Sequence, residues 1–169
     1  MRDKKAQVWI ETVIYTLIGL SIISLLLIYA KPKIEEVQDK IAIESVIDLF
    51  NKIDYLVLNV MSIEGNRRVI EINVPKGVLT IDAKNDEIVW KSFLNYKYSE
   101  SDVELKLGRI SILTSGNISP YEVKVKLNYT NINITINEKE EVFDIGETKS
   151  LIKITFTNKG NRNLDVIII

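Results

Sequence analysis

Between Val8 and Ala30 the chain reads VWIETVIYTLIGLSIISLLLIYA, apolar on every face of a helix and charged only at Glu11. At 1.5 Å per residue this run predicts about 34 Å of helix, enough to cross a hydrocarbon layer about 30 Å thick. A helix apolar all round for this length belongs in a bilayer or in the centre of a bundle. Cations flank it: Arg2, Lys4 and Lys5 before, Lys31 and Lys33 after, a slight excess that predicts a cytoplasmic N-terminus. Pro32 follows the run directly, where its ring and missing N–H predict a kink or an end to the helix. From Lys33 to about Val60 apolar residues recur at three- and four-residue steps: Ile34, Val37 and Ile41, then Ile43, Val46, Ile47, Phe50, Ile53 and Val57. This is an amphipathic helix whose apolar face is expected to pack beneath the following domain.

Past Glu64-Gly65-Asn66 the period changes to two. Tyr121, Val123, Val125, Leu127 and Tyr129 alternate with Glu122, Lys124, Lys126 and Asn128, the pattern of a strand with one wet face. Shorter alternations occur in Ile70-x-Ile72-x-Val74, Val103-x-Leu105-x-Leu107, Ile132-x-Ile134-x-Ile136 and Ile152-x-Ile154-x-Phe156, with Gly, Pro, Asn and Asp turns between them. The terminal Val166-Ile167-Ile168-Ile169 is too short to span a bilayer and reads as a last strand. The expected fold is therefore α+β: a long N-terminal helix, transmembrane and then amphipathic, followed by an antiparallel β-sandwich-like domain. The segments are a basic head at 1–6, an apolar helix at 7–30, its amphipathic continuation at 31–62 and a β-domain at 63–169.

Composition narrows the chemistry. The 22 Lys and Arg balance 23 Asp and Glu, so there is no basic excess for a nucleic-acid backbone, and no nucleic-acid partner is expected. With no Cys and no His, the chain lacks thiolate and imidazole metal ligands, a cysteine nucleophile and the commonest general base. Its 7 Gly form neither a dinucleotide fingerprint nor a phosphate loop. No catalytic residue, metal or cofactor is expected, and the chain does not read as an enzyme.

The residues around Glu11 carry the most information, because a carboxylate inside a membrane helix is costly and has a partner or a purpose. Lys4-Lys5-Ala6-Gln7-Val8-Trp9-Ile10-Glu11 resembles the class III prepilin signal of archaeal type IV pilins. The resemblance implies cleavage between Ala6 and Gln7, a leader charged by Arg2, Lys4 and Lys5, and retention of the apolar helix with Glu11 as its fifth residue. Its implied partners are a prepilin peptidase, an assembly ATPase, a membrane platform protein and other pilin subunits. The implied location is a single-pass membrane protein with a cytoplasmic N-terminus, then an extracellular filament serving adhesion. Major, minor and archaellum-like subunits remain equal alternatives. On physical grounds the new amine at Gln7 needs a counter-ion, which Glu11 of the same or a neighbouring copy supplies; such a pair sets register more than it adds stability. The competing expectation is an uncleaved, signal-anchored surface module whose β-domain binds a glycan or protein.

Three N-x-[ST] sequons begin at Asn117, Asn128 and Asn133 and are candidate glycosylation sites; Asn128 and Asn133 are expected on polar strand faces. Asp82-Ala83-Lys84-Asn85-Asp86-Glu87 reads as turn chemistry rather than a calcium loop, since Lys84 interrupts the acids and the loop glycine is absent. Tyr96 and Tyr98 are expected to alternate faces of a strand.

Overall fold

The computed structural model describes residues 3–148 and 150–169, with side chains from Val8 onward. One helix, α1 (Asp3–Met61), precedes ten strands: β1 (Arg67–Ile72), β2 (Val78–Asp82), β3 (Glu87–Leu94), β4 (Glu104–Leu107), β5 (Ile110–Ser115), β6 (Tyr121–Asn128), β7 (Asn133–Ile136), β8 (Val142–Ile145), β9 (Ile152–Asn158) and β10 (Asn163–Ile168). This is the expected α+β class, a long helix followed by a β-sandwich-like domain. The chain divides into two compact units, Met1–Gln38 and Asp39–Ile169. The described residues of the first are helix alone. The second holds the remainder of α1 and both sheets.

α1 runs through Pro32 without ending. Proline removes one amide, the one that would bond the Ile28 carbonyl, and the turns on either side carry the helix across that single loss. The helix stops after Met61, where Gly65 turns the chain at φ +77° and the Asn66 amide bonds the Ile63 carbonyl. Its open carbonyls are capped from far away in sequence. The buried Asn158 side chain donates to the Val60 and Ile63 carbonyls at 3.3 and 3.0 Å, while its Oδ1 accepts from the Gly160 amide at 2.9 Å.

The strands form a four-stranded sheet in the order β1-β9-β10-β7 and a six-stranded sheet in the order β4-β5-β6-β3-β2-β8. All pairings are antiparallel except β7 with β10, which is parallel. The longest ladder joins β3 to β6, from Glu87 opposite Asn128 to Leu94 opposite Tyr121. Asp86 ties the two sheets at one end: its carbonyl accepts from the Tyr129 amide and its carboxylate from the Ile134 amide at 2.7 Å. The core lies between the sheets and α1. Phe50, Ile53 and Val57 of the helix join Trp90, Val125 and Phe156 in one fully buried cluster. Burying each such side chain contributes about 1.5–3 kcal/mol.

β3 and β5 alternate cleanly between inward and outward residues, but each places a polar side chain on the inward face. In β3 the inward residues are Ile88, Trp90, Ser92 and Leu94, and in β5 they are Ile110, Ile112 and Thr114. Ser92 keeps the inward phase of the strand, and Gly77 lies against it: a Cβ on Gly77 would stand 2.6 Å from the Ser92 Cβ. The Thr114 hydroxyl is held at 2.9 Å from that of Ser99.

Candidate assembly segment and modification sites

From Val8 to Tyr29 the large apolar side chains of α1 are exposed, including Trp9, Leu17, Leu25 and Ile28. The helix is long and apolar enough to cross a membrane by length and composition, and its most apolar window has a mean hydropathy of 2.3 with none of it buried. Four of its hydroxyl groups are turned onto the helix backbone. Thr12, Thr16, Ser21 and Ser24 each donate to the carbonyl four residues earlier, at 2.8–2.9 Å. Glu11 is exposed on the same helix. Arg2 lies outside the described residues, and so do the side chains of Lys4, Lys5, Ala6 and Gln7.

The amphipathic face is shorter than the periodicity predicts. Ile34, Val37 and Ile41 are each more than half exposed, whereas Ile43, Val46, Phe50, Ile53 and Val57 are buried. The step of two between Ile41 and Ile43 turns about 200° around a helix, so the apolar stripe changes face at that point. A charged residue begins the buried face. Asp39 is 1% exposed and accepts from Lys76 Nζ at 2.5 Å and from the Asn95 amide at 2.6 Å. Lys76 is itself fixed through its carbonyl, which accepts from Trp90 Nε1 at 2.7 Å. Sequence reasoning passed over Asp39 because an acid in a helix looks solvated; the only signal was its phase, four residues before Ile43.

A second polar group lies deeper. The Tyr129 hydroxyl and Asp54 Oδ1 are buried without a hydrogen-bond partner, and Arg109 stands 3.8 Å from Asp54. Burial first, and then the Asp54 carboxylate, push the Tyr129 phenol far above the ordinary tyrosine range. A hollow of about 360 Å³ beside it is lined by Leu58, Arg109, Tyr129 and the exposed Thr130 and Asn131.

The acidic segment between β2 and β3 is a turn. Asp82 accepts from the Lys84 and Asn85 amides and from Asn85 Nδ2 at 2.8–3.1 Å, and Asp86 takes φ +53°. Partial burial would raise the Asp82 carboxyl, but the Asn85 side chain, the two amides and the Lys84 charge together hold it below the usual carboxylate range. Among the described residues no group of three metal-ligating side chains forms. Tyr96 and Tyr98 are not in a strand: they sit in the loop after β3 and pack against the core. Asn95 begins that loop with its amide bound to Asp39, so the chain there follows the helix instead of the ladder.

The three sequons occupy different settings. Asn117 lies in the exposed turn between β5 and β6. Asn128 is exposed at the end of β6, paired with Glu87. Asn133 is half-buried in β7: its Nδ2 donates to Asn163 Oδ1 at 3.1 Å, and the Thr135 hydroxyl of the same sequon donates to the buried Asp165 at 2.8 Å.

No family model, curated protein or solved structure matches this chain. The chain's most distinctive surface is the apolar face of α1 from Val8 to Tyr29, which the described molecule leaves unburied.

Proposed function

We propose that this chain is a pilin-like subunit of an archaeal type IV pilus-like surface filament, cleaved before Gln7 and assembled through its apolar helix. The observation that carries the reading is the exposed apolar surface from Val8 to Tyr29 on the helix whose later turns pack into the β-domain. Such a surface is stable only when covered. Lipid covers it while the subunit waits in the membrane, and equivalent helices cover it in a filament. The register of basic head, Gln7, Glu11 and uninterrupted span adds support, because all four fall where the class III prepilin signal places them.

In this reading a prepilin peptidase removes residues 1–6, and an assembly ATPase with a membrane platform protein drives extraction. Glu11 of one copy offsets the amine at Gln7 of the same or a neighbouring copy and sets axial register. The work is mechanical rather than catalytic: β-domains cover the outside of a filament, for adhesion, and no cofactor takes part.

The test is the N-terminus of the protein sheared from cells or extracted from membranes of a host with the cognate peptidase. Intact mass and peptide sequencing are expected to give Gln7 with the helix retained. An intact Met1 despite active peptidase would overturn the proposal in favour of a signal-anchored binding module. Glu11→Ala is expected to insert into the membrane normally and to yield few filaments; a normal yield removes the register role.

A further inference from the structure

We infer that, of the three sequons, Asn117 is the one that accepts a glycan, and that it does so on the folded β-domain. This rests on the proposed placement of that domain outside the cytoplasm. A sequon is read over three residues, because the hydroxyl at the third position is required as well as the asparagine. A transferase must therefore take hold of the whole tripeptide, and the burial of its middle residue decides whether the folded domain can offer it.

The middle residues differ sharply. Tyr129, between Asn128 and Thr130, is 2% exposed and belongs to the core cluster; Ile134, between Asn133 and Thr135, is 0% exposed. Lifting either tripeptide off the surface draws a core side chain into water and breaks backbone ties, from the Tyr129 amide to the Asp86 carbonyl or from the Ile134 amide to the Asp86 carboxylate. Asn133 is further committed, since its carboxamide nitrogen and the Thr135 hydroxyl are both spent on hydrogen bonds across to β10. Ile118, between Asn117 and Ser119, is 82% exposed. Engaging that tripeptide removes none of its side chains from the core and releases the exposed hydrogen bond from the Ser119 hydroxyl to Asn95 Oδ1 at 2.7 Å.

The step conserves atoms and charge. The donor is an oligosaccharide joined through its anomeric carbon to a lipid-borne phosphate. The Asn117 carboxamide nitrogen attacks that carbon, a C–N bond forms, the C–O bond to phosphate breaks with its electron pair leaving on the lipid phosphate, and one amide proton passes to a base of the transferase.

The test uses the full chain with a short C-terminal extension that carries a further Asn-Gly-Thr sequon as a reporter of location. It is expressed in a host whose N-glycosylation machinery acts outside the cytoplasm and mapped by peptide mass spectrometry. The expected result is glycan on the reporter and on Asn117, with Asn128 and Asn133 bare. Asn117→Gln and Ser119→Ala each remove the glycan on the domain, and Ser119→Thr keeps it. A modified reporter beside a bare Asn117 overturns the assignment while leaving the location intact. Equal occupancy at all three sites overturns it differently, by showing that modification precedes folding. A bare reporter overturns the placement outside the cytoplasm, and the assignment falls with it.

Discussion

Asp39 and Lys76 form an ion pair at 2.5 Å in which the carboxylate is buried and the ammonium is partly open to water. The same carboxylate holds the Asn95 amide, so one side chain joins the helix to the segments after β1 and β3. Asp39→Ala leaves that amide without its partner and opens a small cavity. We expect a loss of about 2–3 kcal/mol, read as a lower midpoint in urea with an unchanged slope. A double-mutant cycle with Lys76→Met checks the origin, since additive losses would mean the two residues do not act as a pair.

Gly77 is held by backbone geometry. It has φ +80°, and a Cβ there would lie 2.3 Å from the Lys91 carbonyl oxygen, an atom that belongs to the β3 ladder and cannot step aside. Gly108 also has a positive φ, +64°, with nothing within 4 Å of a Cβ. Gly108→Ala is therefore expected to cost only the left-handed penalty, about 1–2 kcal/mol, and Gly77→Ala distinctly more. Equal losses in thermal unfolding would show that the close approach carries no weight.

Tyr129 makes the second unit sensitive to alkali. Its phenol is raised in the folded state, so above about pH 10 an unfolded chain gives up that proton while the folded one keeps it. Stability from this group is complete below the unfolded value and is lost as pH rises beyond it. Tyr129→Phe should flatten the decline in melting temperature between about pH 9 and 11. An unchanged decline would assign it to other groups.

A fragment beginning at Asp39 is expected to fold by itself, because every residue of the buried cluster lies at or beyond Ile43. Its far-ultraviolet circular dichroism should be dominated by strand, with a helical contribution from Asp39–Met61. A mostly helical or disordered spectrum would refute it.

The fold class and the N-terminal segment were legible in the sequence because both depend on local periodicity. Twenty-three residues apolar on all faces admit few readings, and Tyr121–Tyr129 alternates without a fault. What was hidden depended on contacts distant in the chain. β3 and β5 escaped notice because Ser92 and Thr114 point inward where an apolar residue is expected, each answering a partner in another loop. The Val103-x-Leu105-x-Leu107 alternation marked β4 as a strand but gave no hint that all three stay exposed, a consequence of its place at the edge of the six-stranded sheet. Nor does any local pattern announce that β7 pairs in parallel with β10, or that Asn158 caps a helix 98 positions earlier. The candidate site divides in the same way: Pro32 and the sequons were visible as motifs, but the helix continues through the proline, and only the burial of Tyr129 and Ile134 separates one sequon from another.

The inward-turned hydroxyls of Thr12, Thr16, Ser21 and Ser24 have a mechanical consequence. Directional bonds between helices act as detents, each favouring one angle and one height. With these four donors already satisfied on their own backbone, none of the four offers a neighbouring helix a directional donor, and the methyl and methylene groups around them meet it through contact area, which changes gradually as one helix turns or glides against another. Between Thr12 and Ser24 these four side chains therefore set no fixed stops, and sliding past them meets graded rather than stepwise resistance.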